Sequence, residues 1–594
     1  MCGIYGYWKN TALSDDDIKT CISQTNKLTH RGPDNLGYWY DRELGIFLGH
    51  TRLSIIDLSE KSNQPFVKYN KIILYNGELY NYLDIKKTLK IKGYKFETDG
   101  DTEVIVAAWD YWGENCVKYF DGMYAFGIFD KQKLYLVTDY FGEKPLYYHK
   151  SEEALTFSSE PNQIIVSNNL NFNPSYEENL TYLAFGFIPM PSTGYQNLFQ
   201  IKPASILQFD NYKTKKEYQY WNINRITRNK KNKIISKSDI KKLKELLLES
   251  IETRLISDVS VGLFLSSGID STLLAALIKR ELNHDLDTFT VSLEGADESD
   301  TASKIAKHLN LKHTVLYSNF NNDFDNIHNS LFNVYGGIND NLSALSIKQM
   351  CELTKHNVKV AISGTGGDEL FLGYNKYRFI HKYRHIYNLN VNLKTFFGYM
   401  IKQLGNSKLK NFYNIYFSGS KLDNFIAIKN FQIKKLFDKH SLFFKLEHFE
   451  IKNKDFLEMV HSFDIKHTLP NSYLSSVDRG SMQESIEVRS PYINKKLFEF
   501  TNNFALGAFL NKENKYIQTQ ILKDYIPKNL INQKKYGFNT PKQNYQRSVN
   551  IDENKTPIYL KKFYEDIKAS NINDNKDINN FLLRINQLKY FYNR

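Results

Sequence analysis

Residues 1–210 alternate between short apolar runs and turn-forming residues. Runs such as KIILYNGELY (71–80), MYAFGIFD (123–130) and KLYLVTD (133–139) are rich in β-branched and aromatic side chains, and Gly, Asn and Asp separate them. This pattern is typical of strands joined by turns. We therefore predict a β-rich domain over residues 1–210.

The pattern changes after a polar stretch at 211–238, which has no apolar period and is predicted to be a linker. From Asp239 onward, apolar residues recur at the spacing of an amphipathic helix. The run VGLFL (261–265) is typical of a buried parallel strand. The same holds for DTFTVSL (287–293), KHTVLYS (312–318) and VKVAISG (358–364), and helical patterns lie between them. Alternating strands and helices predict a doubly wound α/β domain over residues 239–545.

The rest of the chain gives weaker signals. Residues 380–480 have a mostly helical, aromatic-rich pattern. Residues 546–594 are polar, rich in Asn and Lys, and contain no motif that can be interpreted, so they are set apart as a C-terminal extension.

Composition and charge exclude or disfavour several classes of protein. A chain of 594 residues is too long for one hydrophobic core. No run of about 18 apolar residues and no signal-peptide pattern is present, so we expect a cytoplasmic protein without a membrane partner. The net charge of +13 comes from scattered lysines, with a local run RNKKNK (228–233). A solvated basic surface is favoured over nucleic-acid binding. The four cysteines are widely spaced, which fits neither a disulfide framework nor a zinc site.

Cys2 is a candidate nucleophile. Removal of Met1 would leave a thiol and a free α-amine on one residue, and that amine could act as the base. Cys2 alone is weak support, but RGPD (31–34), GHTRLSIIDLS (49–59), YNGELYNY (75–82), TDGDTEV (98–104) and DGMYAFGIFD (121–130) follow it in that order. Together with MCGI, this series resembles the class II glutamine amidotransferase domain.

That resemblance implies an N-terminal-nucleophile αββα sandwich and a role for each matching residue. Cys2 would attack the side-chain amide of glutamine, and Asn76 and Gly77 would form the oxyanion hole. Arg52 would bind the α-carboxylate of glutamine, while Glu78 and Asp101 would bind its ammonium group. Without the resemblance, Asn76–Gly77 would be interpreted as a tight hairpin turn.

The stretch LFLSSGIDST (263–272) joins a predicted strand to a predicted helix. Small residues let the backbone approach an anion closely at such a junction. The stretch resembles the PP-loop of ATP pyrophosphatases, usually S-G-G-x-D-S, with Ser267 at the second position, where a glycine is usual. A plain strand–helix turn is the alternative interpretation.

Further motifs follow this loop: ISGTGGDELFLGY (362–374), DRGSMQESIEVRSPYIN (478–494), KYIQTQIL (515–522) and KKYGFNTPKQNY (534–545). Their order resembles the glutamine-hydrolysing asparagine synthetase family. The resemblance implies that ATP and Mg²⁺ bind in the second domain. The phosphates would contact Ser266, Gly268, Asp270 and Ser271, and the adenosine would contact Phe264, Val291, Ser363 and Gly364. Asp270 and Asp368 would hold Mg²⁺, and Lys515 would neutralise the leaving pyrophosphate.

The motifs indicate glutamine as the nitrogen donor but leave the carboxylate acceptor open. The third motif commonly reads S-G-E-G-x-D-E, and Thr365 stands where the glutamate is usual. A threonine cannot act as a base at neutral pH. Either the acceptor is free aspartate and the acid–base step is carried out in another way, or the acceptor is another carboxylate, such as a uronic-acid sugar. Arg479 and Arg489 are weaker candidates for substrate contacts, and a homodimer is possible. A catalytically inactive homologue and a nucleic-acid-modifying PP-loop enzyme are the remaining alternatives.

Overall fold

The computed structural model describes residues 1–210, 212, 214–222, 234–293, 298–318, 324–403, 409, 413, 417, 421–429, 455–510, 513, 515–531, 557, 560–562, 565 and 576–593. The predicted motif KKYGFNTPKQNY (534–545) and the basic run RNKKNK (228–233) lie outside these residues.

Within this part of the chain, the strands are β1 (Gly3–Lys9), β2 (Asn35–Asp41), β3 (Ile46–Arg52), β4 (Phe66–Lys68), β5 (Lys71–Leu79), β6 (Gly122–Asp130), β7 (Lys133–Thr138), β8 (Tyr147–Lys150), β9 (Ala154–Ser158), β10 (Leu198–Gln200), β11 (Ser205–Asp210), β12 (Thr214–Gln219), β13 (Val261–Phe264), β14 (Asp287–Leu293), β15 (His313–Ser318), β16 (Val360–Ile362) and β17 (Glu487–Arg489). The helices are α1 (Asp15–Asn26), α2 (Tyr82–Ile91), α3 (Asp101–Trp112), α4 (Pro161–Ser167), α5 (Tyr176–Phe185), α6 (Lys237–Arg254), α7 (Ile269–Arg280), α8 (Ser299–Leu309), α9 (Phe324–Tyr335), α10 (Ser343–Thr354), α11 (Gly367–Leu370), α12 (Asn375–Lys382), α13 (Arg384–Tyr387), α14 (Val391–Gln403), α15 (Lys421–Lys429), α16 (Phe456–Phe463), α17 (Ser475–Met482), α18 (Lys495–Thr501), α19 (Tyr516–Leu522), α20 (Lys528–Ile531) and α21 (Lys576–Asn593). A π-helical segment, Asp464–Leu474, joins α16 to α17.

Two antiparallel six-stranded sheets form the first domain, with strand orders β10-β8-β9-β1-β3-β2 and β12-β11-β7-β6-β5-β4. Ile4 and Trp8 of β1 belong to the same buried cluster as Leu74 of β5, so the two sheets face each other. Helix α1 covers the outer face of the first sheet, and α2 and α3 cover that of the second. The predicted αββα sandwich is confirmed.

Strand β5 explains why the sequence of this domain reads as nearly continuous apolar runs. Ile72 and Leu74 point into the space between the sheets, whereas Ile73 and Tyr75 pack under α2 and α3. Because side chains alternate between the two faces of a strand, and both faces are covered, both sets of positions are apolar.

The predicted linker is wrong at its start. Strand β12 lies within the predicted linker 211–238 and pairs antiparallel with β11. It is an edge strand whose described side chains from Lys216 to Gln219 are exposed. An exposed edge strand needs no apolar positions, so the sequence pattern gave no sign of it.

The second domain contains a parallel sheet of order β15-β14-β13-β16-β17. Four of these strands match the predicted runs, although β16 is only three residues long. Strand β17 was not predicted, because its outer residues are the buried ion pair Glu487 and Arg489 rather than apolar side chains. The doubly wound α/β fold is confirmed.

The C-terminal extension contains helix α21, whose side chains from Leu582 to Lys589 are buried. Polar residues among them, such as Asn586 and Gln587, hide the apolar period from the sequence. In the part of the chain that the structure describes, no helix is both long and apolar enough to cross a membrane.

Candidate functional site

Cys2 lies at the start of β1, buried against the middle of β5. Its backbone N–H donates to Asn76 Oδ1 at 2.9 Å, and Arg31 Nε donates to its carbonyl oxygen at 3.1 Å. Burial raises the pKa of the Cys2 thiol, although the nearby α-amino group of Met1 and the Arg52 guanidinium oppose this rise. The chain as described retains Met1, whose amino nitrogen lies 3.3 Å from Glu487 Oε2.

Asn76 and Gly77 lie inside β5, where they pair with Ala125 and Tyr124 of β6, so the hairpin-turn interpretation is wrong. Asn76 is fully buried, and its Nδ2 has no hydrogen-bond partner. A buried donor without a partner is costly, which is typical of a site that awaits an acceptor. A Cβ at Gly77 would lie 2.2 Å from Met123 O, so this position excludes any side chain.

The three predicted glutamine-binding residues lie near one another and near Cys2: Arg52 and Glu78 act electrostatically on the Cys2 thiol, and Asp101 acts on Glu78. Arg52 donates to Ser59 O and Asn63 Oδ1, each at 2.8 Å, and these contacts fix its guanidinium plane. Asp101 accepts hydrogen bonds from Tyr75 Oη at 2.8 Å and from the Leu79 N–H at 2.9 Å.

Glu78 is the third of these residues, and burial, Glu487 and Asp101 raise its pKa. Its Oε1 lies 3.7 Å from Arg489 Nη2, and its Oε2 has no hydrogen-bond partner. Burial therefore favours the neutral form of the Glu78 carboxyl, and a bound cation would favour its ionised form.

The predicted phosphate loop lies between β13 and α7, at the carboxyl end of the parallel sheet of the second domain. Ser266 N–H donates to Ser271 Oγ at 3.1 Å, and Gly268 N–H donates to Ser266 Oγ at 3.1 Å. Ser267 has an ordinary negative φ, so a serine is tolerated at this position. Strand order reverses between β13 and β16, which is where ligands bind in open α/β sheets.

The loop after β16 faces the phosphate loop across this reversal point. A Cβ at Gly367 would lie 2.6 Å from Asp270 Cγ, so the two loops touch. Lys515 Nζ contacts Asp270 and lies 2.6 Å from Asp368 Oδ1. Two carboxylates thus converge on one cation, and oxygen donors suit Mg²⁺. Among the described residues, no group of three or more His, Cys, Asp and Glu side chains is placed to hold a metal ion.

Thr365 lies on the loop after β16, and Glu369 lies in α11, which follows that loop. Thr365 Oγ1 lies 2.8 Å from Ser363 Oγ. Burial and the neighbouring Asp368 raise the pKa of Glu369 to about 7, and Glu369 Oε1 accepts a hydrogen bond from Tyr374 Oη at 2.5 Å. Sequence analysis missed Glu369, because the motif shows a glutamate at this position but does not show that its side chain is buried.

Phe264 and Val291 belong to one apolar cluster beside this loop. Phe264 ends β13, and Val291 lies near the end of the neighbouring β14. The two residues are thus close in space although they are separated along the chain, and their contact with adenosine stays a prediction.

The two weaker candidates lie away from the phosphate loop. Arg479 Nη2 donates to Ser159 O at 3.0 Å, and its Nη1 lies 3.2 Å from Glu160 Oε1. Arg489 Nε donates to Glu487 Oε1 at 2.6 Å, and its guanidinium group faces Glu78 in the glutamine pocket. Both residues belong to the contact between the two domains.

Sequence analysis also missed the ion pairs that join the domains. Arg31 lies in the first domain and binds Asp478 of α17 through both terminal nitrogens at 3.1 Å. The same guanidinium group donates to Glu160 Oε1 at 3.0 Å. Arg31 and Asp478 each begin one of the motifs described above, but no pattern along the sequence indicates which motifs contact each other.

An apolar cluster lies between the two sites. Met1, Leu53, Ile55, Tyr80 and Met123 of the first domain pack there against Val360 and Met482 of the second. Val360 begins β16, whose carboxyl end leads into the loop with Thr365. Apolar side chains of both domains thus meet at this contact, beside the ion pair of the Met1 amino group and Glu487.

Comparison with known proteins agrees with this geometry. The profile described as "Glutamine amidotransferase domain" matches residues 1–221, and the profile described as "Asparagine synthase" matches residues 242–553. The chain is 29% identical over 601 residues to a protein of Bacillus subtilis named asparagine synthetase (glutamine-hydrolyzing) 1, covering 95% of this chain and 92% of that protein. It is 34% identical over 415 residues to a putative asparagine synthetase (glutamine-hydrolyzing) 2 of Methanocaldococcus jannaschii, covering 64% of this chain and 78% of that one. The chain belongs to the asparagine synthase family and begins with a glutamine amidotransferase domain.

Proposed function

We propose that this protein transfers nitrogen from glutamine to the side-chain carboxylate of aspartate, at the expense of ATP. The main support is that one chain carries Cys2 beside Asn76 in one domain and the Asp270, Asp368 and Lys515 cluster in the other, and that an apolar contact joins the two domains. The names of the relatives favour aspartate as the acceptor and do not favour a uronic-acid sugar.

In the first half-reaction, the Cys2 thiolate attacks the amide carbon of glutamine. Asn76 Nδ2 and the Gly77 N–H would donate to the developing oxyanion. The α-amine left by removal of Met1 would take the thiol proton and return it to the leaving nitrogen, so that ammonia departs and a thioester remains. Water then releases glutamate and restores the thiol.

Arg52, Glu78 and Asp101 would hold the two ends of the glutamine backbone in this step. A guanidinium group matches a carboxylate in two parallel hydrogen bonds. The ammonium group of glutamine would supply the positive charge that the buried Glu78 carboxyl needs in order to ionise.

In the second half-reaction, the acceptor carboxylate attacks the α-phosphorus of ATP and pyrophosphate leaves. Ammonia then attacks the acyl carbon and AMP leaves. Ser266, Gly268 and Ser271 would bind the phosphates. Phe264, Val291, Ser363 and Gly364 would surround the adenosine.

Asp270 and Asp368 would hold Mg²⁺, which neutralises phosphate charge when it is bound. Lys515 contacts both aspartates in the described state. Binding of the nucleotide and its cation would free the Lys515 ammonium to face the leaving pyrophosphate. Thr365 would contact the acceptor only through its hydroxyl group, because it has no carboxylate.

The test incubates the purified protein with Mg-ATP, aspartate and either glutamine or an ammonium salt, and measures AMP and asparagine. We expect equal amounts of AMP and asparagine from either nitrogen source. Cys2→Ala should abolish the use of glutamine and keep the use of ammonium. Failure of the wild type to make asparagine from ammonium would refute aspartate as the acceptor.

A further inference from the structure

Helix α21 bridges the two domains, although sequence analysis assigned it no role. Leu582 and Leu583 pack against α9 and α10 of the second domain. On another face, the Phe591 ring lies between Phe172 of the first domain, at 5.0 Å, and Phe332 of α9, at 5.4 Å. The helix therefore contributes apolar contacts to both sides of the domain boundary.

Two buried polar side chains of α21 bind both domains at once. Arg584 Nε donates to Asp340 Oδ2 of the second domain at 2.7 Å, and its Nη1 donates to Leu183 O of α5 in the first domain at 2.6 Å. Gln587 Nε2 donates to Asn339 O at 3.1 Å, and its Oε1 accepts a hydrogen bond from Tyr182 Oη of α5. Because each side chain loses a buried partner if the domains separate, separation is costly.

The segment that α21 holds leads towards the nucleophile. Asn339 Nδ2 donates to Asn471 O at 2.8 Å, and Asn341 Nδ2 donates to Ser476 Oγ of α17 at 3.3 Å. Helix α17 also presents Asp478, which binds Arg31, and Arg31 Nε donates to Cys2 O. Hydrogen bonds thus connect residues 339–341 with the glutaminase site through α17.

We propose that α21 is an interdomain clasp and that Arg584 and Gln587 are positioning residues, which keep the domain contact closed so that ammonia passes to the second site instead of escaping. This inference rests on the proposed function. It requires no contact between α21 and any substrate. Loosening the clasp should leave both half-reactions intact and impair only the transfer between them.

The test compares Arg584→Met with a matched control, Tyr590→Phe. Tyr590 lies on the same helix, and its hydroxyl donates to Asn329 of the second domain. The readout is the molar ratio of glutamate released to asparagine formed from glutamine. We expect a ratio near one for the wild type and for Tyr590→Phe, and a ratio about fivefold higher for Arg584→Met, a coupling change of the size that single contacts contribute.

Ammonium-dependent synthesis and glutamine hydrolysis, each measured alone, should stay at the wild-type rate in Arg584→Met. A wild-type ratio in Arg584→Met would overturn the clasp, and so would a rise of equal size in Tyr590→Phe. If Arg584→Met does not fold, Asp340→Asn weakens the same pair from the other side, with the same expected ratio. Failure of the wild type to use ammonium would instead count against the proposed function, so the two failures are distinguishable.

Discussion

The side chain of Asn76 has two different functions at its two ends. Its oxygen accepts the Cys2 N–H, and its Nδ2 is buried without a partner. The first contact fixes the orientation of the amide, and the second leaves a donor beside the nucleophile. An oxyanion donor is effective when it is held in place before the reaction begins.

For this reason we expect Asn76→Ala to lower the glutaminase rate by about 10²–10³. Ammonium-dependent synthesis should not change, because Asn76 is far from the second site in sequence and lies in the other domain. Steady-state assays with each nitrogen source check this. An equal loss with both sources would mean that the substitution disturbs the whole protein and not an oxyanion hole.

Glu369 gives a prediction about stability. Its pKa of about 7 lies above its ordinary value of 4.5, because burial and Asp368 disfavour the charge. The native state therefore binds a proton that the unfolded state releases, so this group destabilises the protein as pH rises from its ordinary pKa to about 7.

Glu369→Gln removes that titration. Relative to the wild type, the variant should gain about 2 kcal/mol in free energy of unfolding between pH 5 and pH 8. Urea denaturation across this range is the measurement, with Glu352→Gln, at an exposed position, as the control. A constant difference between variant and wild type at all pH values would contradict the raised pKa of Glu369.

Among the secondary-structure elements, strand β5 determines the geometry of the first site. It presents Asn76, Gly77 and Glu78 in consecutive positions, and β6 packs closely enough that residue 77 has no space for a side chain. Close backbone approach, rather than a turn, explains this glycine.

Gly77→Ala should accordingly destabilise the sandwich, because its Cβ would overlap the backbone oxygen of Met123. Gly337→Ala is a suitable control, since a Cβ there would have no atom within 4 Å. Thermal melts should show a drop of several degrees for Gly77→Ala and almost none for Gly337→Ala, which is the order expected when backbone cannot move aside. Equal melting temperatures would show that β5 and β6 can separate at this point.

In the whole molecule, buried ion pairs close the contact between the domains. Glu160 faces Arg31, His30 and Arg479. Burial opposes its ionisation, but its interactions with His30, Arg479 and Arg31 outweigh burial and lower its pKa. A carboxyl with a lowered pKa stabilises the native state above its ordinary pKa, and this contribution is lost as pH falls below that value.

Glu160→Gln should therefore be less stable than the wild type at neutral pH, by about 3–5 kcal/mol for a buried pair that loses one partner. The deficit should shrink as pH falls below the ordinary glutamate pKa of 4.5, because the unfolded wild type then binds a proton that the native Glu160 does not. Calorimetry at neutral and acid pH measures both effects, with the exposed Glu152→Gln as the control. A deficit that stays the same at acid pH would exclude the ionised form of Glu160 as its cause.

Much of this protein was determined by local sequence. Alternating apolar runs predicted the sandwich, strand–helix alternation predicted the parallel sheet, and ordered motifs predicted the residues around Cys2 and Asp270, because backbone period and short-range chemistry act over a few residues. Strands β12 and β17 and helix α21 escaped prediction, since an exposed edge, a buried ion pair and buried amides replace the apolar signal there. Which motifs face each other, such as Arg31 with Asp478 and Arg489 with Glu78, was decided only by the tertiary structure. Contacts between residues hundreds of positions apart depend on how the domains pack, and no local pattern encodes that packing.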